Sequence, residues 1–399
     1  MAEEESRATT QARIASKFEQ RDSQESLLDS FENYLGSTQS TDVKRWVPPD
    51  GLLPFQIVPA LVNMIGEVIS NAFDNYIKTQ QAGCFKDSNV SVTVDYEQNC
   101  VTVSNTGIGI PTAPYNGSID NDIFALIAFE DVNFGDSHDD NNKKFRSRKL
   151  CCGAKVANYC CETLYMHTNN GVARLSCTWD AKQSCRSETD LKQRRSHWRR
   201  DWCSECSSNT DVQGTTIKMW PDFSKFSVNS LEEANVEEML KNRCYLLAAH
   251  MAMQNGTNNR IPPCLRGFEK VTVHFNDREL TAEVQYMRDL VMQLGFAKDQ
   301  IAHYLSRDHD VDIAVFSSKN EDDIDQDVLC CNAMNVPDGS TFLVDVRRQM
   351  VRQLADNKSI NVRSTLGSSS PDKLSSAKRE DLRKRYSNGS LVAFVSVAI

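Results

Sequence analysis

The sequence predicts an α+β chain, on three observations. A long amphipathic helix pattern occupies Phe55–Lys78, and two short alternating runs joined by a turn follow it. Strand-like and helical stretches then alternate to the C-terminus, with no internal repeat. The chain has 399 residues, 40% hydrophobic and 25% charged, which gives room for two or three domains with ordinary globular composition.

Residues 1–26 are rich in Glu, Gln, Ser and Arg and offer little to bury, so they read as a mobile arm. In the helix, Val58, Leu61, Val62, Ile65, Val68, Ile69, Ala72 and Phe73 recur at helical spacing and define a broad apolar face. Val90–Tyr96 and Cys100–Ser104 read as strands around a Glu97-Gln98-Asn99 turn. A glycine-punctuated turn, Gly107-Ile108-Gly109-Ile110-Pro111, comes next. Residues 131–149 form a polar, charge-rich loop. Further strands are expected at Val172–Trp179 and Thr215–Met219, and a second helix near Leu231–Met253. After the Asn255–Pro263 loop a fresh pattern starts at Val271, which puts a domain boundary near residue 265.

Forty-five Lys and Arg against 54 Asp and Glu give a net charge of −9, which opposes a mainly electrostatic DNA-binding role for the chain as a whole and leaves room for a local basic patch. No run of 18 apolar residues suggests a membrane span, and the acidic N-terminus lacks a signal-peptide core, so an intracellular protein is expected. The 14 cysteines include adjacent pairs but no disulfide framework; reduced thiols filling core positions account for them.

The polar residues of the first helix are not scattered. Asn63, Glu67, Asn71, Asp74 and Lys78 follow steps of four, four, three and four, and so form one stripe. Solvent-facing helix stripes usually carry Glu/Lys pairs, whereas this one mixes short amides and acids. A carboxylate one turn from a carboxamide suits metal-assisted phosphoryl chemistry, in which the amide oxygen ligates Mg²⁺ and the acid polarises a water. Glycines let backbone amides approach a nucleotide closely.

Three segments carry a resemblance: Glu67-Val68-Ile69-Ser70-Asn71-Ala72-Phe73-Asp74-Asn75, then Asn105-Thr106-Gly107-Ile108-Gly109-Ile110-Pro111, then Gly153-Ala154-Lys155. Together they resemble the ATPase region of type IIA DNA topoisomerases, in the ATPase clan of gyrase, the heat-shock chaperones and histidine kinases (the GHKL or Bergerat fold). Tyr34-Leu35-Gly36-Ser37 is similar to the family's N-terminal strap, and Trp220-Pro221-Asp222-Phe223-Ser224-Lys225-Phe226 to a run found in the eukaryotic enzymes. Val273-His274-Phe275-Asn276-Asp277 and Asp338-Gly339-Ser340-Thr341 resemble parts of the family's transducer domain.

The resemblance implies an arm at 1–26, an ATPase domain of helices on a mixed sheet at 27–265, and an α/β transducer at 266–399. It implies Glu67 as general base and Asn71 as ligand to Mg²⁺ and phosphate oxygens. Asp74 and Asn75 would line the purine and phosphate edge, and Gly107, Gly109 and Ile110 the adenine pocket. Ser137 would lie near lid contacts to the ribose, Gly153, Ala154 and Lys155 at the lid's end against the phosphates, and Thr215 near the adenine. The implied function is an ATP-operated, homodimeric gate for DNA strand passage in the nucleus.

Three departures from the family pattern stand out. Thr106 occupies the position before Gly-x-Gly where the family has an acid or amide for the adenine amino group. The lid reads Ser147-Arg148-Lys149-Leu150-Cys151-Cys152-Gly153-Ala154-Lys155, in place of a glycine-rich Gly-Gly-Arg-Asn-Gly-Tyr-Gly-Ala-Lys. Side chains where the backbone should wrap phosphates at positive φ cost roughly 1–2 kcal/mol per residue. The transducer's Gln-Thr-Lys loop is expected after Leu391–Ile399, where this sequence stops. A catalytically degenerate nucleotide-binding or dimerisation module is therefore the alternative.

Two weaker constellations remain. Lys192, Arg194, Arg195, His197, Trp198, Arg199, Arg200 and Trp202 form a basic, aromatic insert, either a solvated loop or a contact for DNA, the latter making the chain a DNA-binding adaptor. Cys203-Ser204-Glu205-Cys206, with Cys185 and His197, has the spacing of a zinc set but lacks a matching second pair.

Overall fold

The computed structural model describes residues 31–82, 89–114, 123–130, 153–180, 199–206, 208, 212–256, 273–281, 284, 286–305, 311–317, 328–331, 334–336 and 391–397. A short helix, α1 (Glu32–Leu35), leads into a hairpin of β1 (Thr41–Val47) and β2 (Gly51–Ile57). The long helix α2 spans Pro59–Ala82, four residues later at each end than the periodicity suggested. Proline at its first position explains the start. Pro59 has no N–H to leave unpaired and its φ is already helical, while the Val58 carbonyl accepts from Leu61 and Val62.

An eight-stranded sheet carries the core. Its strands are β3 (Val90–Asp95), β4 (Cys100–Thr106), β5 (Cys161–Asn169), β6 (Ala173–Asp180), β7 (Arg199–Cys206), β8 (Gly214–Pro221), β9 (Val273–Phe275) and β10 (Arg278–Leu280). Their order is β10-β9-β3-β4-β8-β5-β6-β7, with β3 and β9 parallel and every other pair antiparallel. Period-two alternation sends Val90, Val92, Val101, Val103, Ile217, Met219, Leu164, Met166, Leu175 and Cys177 inward. Ser91, Thr93, Thr102, Ser104, Thr216 and Lys218 take the other face, as in a sheet covered on one side.

Four helices contribute to the covered side: α2, α3 (Phe124–Glu130), α4 (Gly153–Tyr159) and α5 (Glu237–Gly256). α2 packs on β4, α4 and α5. Trp179 is 1% exposed; its ring stacks on Phe129 at 5.3 Å and its indole Nε1 donates to Glu130 Oε1 at 2.8 Å. Cys100, Cys160, Cys161, Cys177 and Cys244 are buried free thiols, as core-filling cysteines should be, whereas Cys203 and Cys206 are exposed.

A second, five-stranded sheet follows. Strands β11 (Ile301–Leu305), β12 (Val311–Ser317), β13 (Val328–Cys331), β14 (Met334–Val336) and β15 (Leu391–Val397) run in the order β11-β12-β15-β13-β14, and α6 (Met287–Gln293) packs on β12. Trp46 of the hairpin meets Phe296 at 6.1 Å and Phe316 at 5.3 Å, both edge-on. The first sheet does not stop near residue 265. Hydrogen bonding gives Val273–Phe275 to β3, so the change of sheet falls between Leu280 and Ile301. The arm at 1–26 lies outside the described residues. No helix among the described residues is long and apolar enough to cross a membrane.

Candidate functional site

The polar stripe of α2 is graded rather than uniformly wet. Asn63 turns back to donate to the Leu35 carbonyl at 2.8 Å, and Glu67 is only 2% exposed. One turn on, Asn71 is exposed; Asp74 is half-buried and Lys78 exposed. A carboxylate kept from bulk water beneath an exposed carboxamide differs from a solvated helix face, where both would be wet.

Asn75, next to this stripe, joins α2 to the sheet. Asn105 Nδ2 donates to Asn75 Oδ1 at 2.7 Å, and Thr79 Oγ1 reaches the same oxygen at 3.4 Å. Thr79 Oγ1 also accepts from the Ile108 N–H at 3.0 Å, so one turn of α2 clasps the Gly-x-Gly segment. That clasp explains the first glycine. Gly107 has φ +129°, and a Cβ there would lie 2.4 Å from Thr79 Oγ1. At Gly109 a Cβ would meet the Asn169 carbonyl oxygen at 2.3 Å. Both glycines are thus demanded by packing between α2 and β5, whatever else approaches them.

Thr106 and Asn105 part company across β4. Thr106 Oγ1 accepts from the Asn89 N–H at 2.9 Å and approaches Asn89 Oδ1 at 3.3 Å, on the face away from α2. Asn105 alternates inward with Val101 and Val103, is 6% exposed, and faces Asn75. The inward-facing amide before the Gly-x-Gly is thus Asn105, one residue before Thr106. Strand alternation, rather than motif spacing, is the signal that finds it.

Behind the turn, Ile110 N–H donates to Thr168 Oγ1 at 2.8 Å, and Thr168 Oγ1 lies 3.1 Å from Thr215 Oγ1. Thr168 is fully buried and was not anticipated; Thr215 is 8% exposed. At the start of α4, Gly153 is buried, Ala154 half-buried and Lys155 4% exposed. Since α4 packs on α2, its first turn belongs to the same side of the sheet as Glu67. Bonds thus tie Asn75 and Thr79 of α2 to Asn105 and the Gly107–Ile110 turn, and that turn to Thr168 and Thr215, while Glu67, Asn71 and Asp74 lie along α2 and Gly153–Lys155 opens a helix packed on it. Ser137 and the rest of the lid before Gly153 lie outside the described residues.

The weaker constellations fare differently. Lys192, Arg194, Arg195, His197, Trp198 and Cys185 lie outside the described residues, but Arg199–Cys206 forms β7, paired in register with β6. Within a strand, residues three apart point to opposite faces, so Cys203 and Cys206 do not form a chelating pair. Among the described residues no cluster of His, Cys, Asp and Glu could hold a metal ion.

Residues 60–224 match the model of the histidine kinase-, DNA gyrase B-, and HSP90-like ATPase family. DNA topoisomerase 2-alpha of Sus scrofa is 24% identical over 265 residues, 64% of this chain and 16% of that protein. DNA topoisomerase 2 of Arabidopsis thaliana is 26% identical over 243 residues, 59% of this chain and 15% of that protein. The chain therefore spans about a sixth of these curated relatives. In fold it is similar to the ATPase region of Saccharomyces cerevisiae topoisomerase II, with TM-score 0.66, 16% identity, and 97% of this chain and 87% of that chain covered. It is also similar to the ATPase and transducer domains of the Balamuthia mandrillaris DNA topoisomerase II, with TM-score 0.67, 18% identity, and coverage of 96% and 85%.

Proposed function

We propose, for a chain that carries this ATPase-family domain and the fold of a type IIA topoisomerase ATPase region, that it binds ATP with Mg²⁺ and hydrolyses it slowly. The observation that carries the reading is the buried Glu67 one turn beneath the exposed Asn71, on a helix clasped to the Gly-x-Gly turn through Asn75 and Thr79. Glu67 holds and deprotonates the attacking water at its carboxylate, shielded from bulk solvent. Asn71 offers its amide oxygen to the metal, which supplies neutralisation of phosphate charge when bound. Asn105, with its Nδ2 committed to Asn75, has its carbonyl oxygen as acceptor for an adenine amino group. Thr168 and Thr215 place hydroxyls behind the same turn. Lys155 and the first turn of α4, a helix packed on α2, are assigned to phosphate oxygens.

Slow turnover follows from the sequence at Ser147–Cys152, which lacks the glycines that would let backbone amides wrap phosphates. In the assembly, nucleotide binding closes a homodimer, and the gate serves DNA strand passage in the nucleus. The test separates binding from chemistry. Glu67→Gln should abolish single-turnover hydrolysis and leave binding of a fluorescent ATP analogue nearly intact, because the amide keeps the shape but takes no proton. Asn71→Ala should remove the Mg²⁺-dependent part of binding. Equal loss of binding in both variants rejects the assigned roles.

A further inference from the structure

Gly66 is buried within α2, where glycine is less favourable than alanine and needs a cause. The cause is a cation. A Cβ at residue 66 would lie 2.7 Å from Arg243 Nε, 2.8 Å from Cζ and 3.0 Å from Cδ, so the guanidinium of α5 rests directly on the helix backbone. From there Arg243 Nη2 donates to Ser70 Oγ at 3.0 Å. Ser70, fully buried, donates its own proton to the Gly66 carbonyl at 2.8 Å, which leaves its oxygen to accept from arginine. Glu67 is the residue after Gly66 and lies one turn before Ser70, so this bonded loop brackets it.

We infer that Arg243 is a positioning residue for the Glu67 turn of α2, holding residues 66–70 in register so that the Glu67 carboxylate sits at a fixed depth in the site. The inference rests on the reading of Glu67 as the base. Arg243 suits the task because its own helix is tied down on both sides. Asn242 Nδ2 donates to the Trp46 carbonyl at 3.0 Å, and Tyr245 OH is bonded to Gln293 of α6. A displacement of about 1 Å in a reacting group can cost on the order of 100-fold in rate, so the turn's lateral fix bears on chemistry more than on nucleotide affinity.

The test is a cycle of Arg243→Ala, Gly66→Ala and their combination, with Arg243→Lys and Glu67→Gln as references, all in the full chain. Three measurements are made: amide hydrogen exchange of the peptide covering residues 66–74 without nucleotide, affinity for a fluorescent ATP analogue with Mg²⁺, and single-turnover hydrolysis. Arg243→Ala and Gly66→Ala should each raise exchange in that peptide and slow hydrolysis by about 10- to 100-fold, with affinity within about twofold. The double variant should be no slower than either single, since both act by removing the same contact. Arg243→Lys should recover part of the rate. Gly66→Ala adds helix propensity, so a loss there does not come from a weaker helix. Wild-type exchange and rate in Arg243→Ala, or additive losses in the double variant, overturn the inference alone. Wild-type turnover equal to that of Glu67→Gln overturns the base assignment, and the inference with it.

Discussion

Alanine at position 107 probes the joint between α2 and the sheet with a single methyl group. Gly107 has φ +129°, and the new Cβ would sit 2.4 Å from Thr79 Oγ1, 2.5 Å from Cγ2 and 2.9 Å from Cβ. Thr79 is β-branched and stiff in a helix, and its hydroxyl already serves Ile108 N–H and Asn75, so it cannot swing aside without losing bonds. Left-handed backbone strain contributes about 1–2 kcal/mol. Overpacking contributes about 1–3 kcal/mol more. Gly107→Ala should therefore lower unfolding free energy by about 2–5 kcal/mol, read from urea denaturation followed by tryptophan fluorescence. Thr79→Ala alone loses the acceptor for Ile108 and should cost about 1–2 kcal/mol. The double variant should cost clearly less than the two together, because removing the hydroxyl and methyl relieves the crowding. A Gly107→Ala protein within about 0.5 kcal/mol of wild type, or strict additivity in the cycle, would refute the packing argument.

Asp222 is partly desolvated, which raises its pKa, but bonds from Lys225 and Ser224 outweigh that and hold the carboxyl below its ordinary value. A folded pKa below the unfolded one means stabilisation present above about pH 4 and lost as pH falls through the folded value. Asp222→Asn should thus be less stable than wild type at pH 7, with the gap closing below about pH 4, as followed by thermal melts. Burial pushes the thiols of Cys160 and Cys244 up to about 12, and those of Cys100 and Cys161 upward as well. Brief iodoacetamide treatment of the native chain at pH 8 should label Cys203 and Cys206 and spare these four, read by peptide mass mapping. Asn105→Leu keeps the branched skeleton but removes the polar end, so it should weaken the ATP analogue by about tenfold or more while breaking the bond to Asn75; unchanged affinity in a binding titration counts against its role.

Helix α2 is legible because its apolar recurrence is long, and its stripe because all five polar residues keep helical steps. The helix starts later than its apolar pattern because Pro54 and the Pro48-Pro49 pair disguise the β1–β2 hairpin, whose strand at Gly51–Ile57 absorbs Phe55. β5 lacks a legible pattern for a different reason. A register irregularity between Cys161 and Thr163 breaks its period, and its inward residues include Cys161 and Thr168 rather than a plain apolar alternation. α5 begins at Glu237, whose acid and that of Glu238 suit a helix N-terminus, rather than at the apolar Leu231. Asn105 was hidden by reading the glycine turn as a motif instead of as the end of a strand. Gly66 and Arg243 carry no local pattern at all, since their contact joins helices far apart in sequence.

The pairing of Val90–Val92 with Val273–Phe275 has a consequence for how the chain is made. Asn276 reinforces it, accepting from the Val94 N–H at 2.8 Å through Oδ1 and donating its own N–H to the Val92 carbonyl at 3.0 Å. During synthesis, β3 leaves the ribosome long before its partner does. At about 5–20 residues per second, the delay is roughly 10–40 seconds. Through that interval a valine-rich strand offers an open row of N–H and C=O groups to any neighbouring chain. The first sheet is thus a unit of high contact order, finished by a segment that the sequence pattern assigns to the next domain. A fragment ending near residue 265 keeps every residue of the candidate site and yet leaves that edge permanently open.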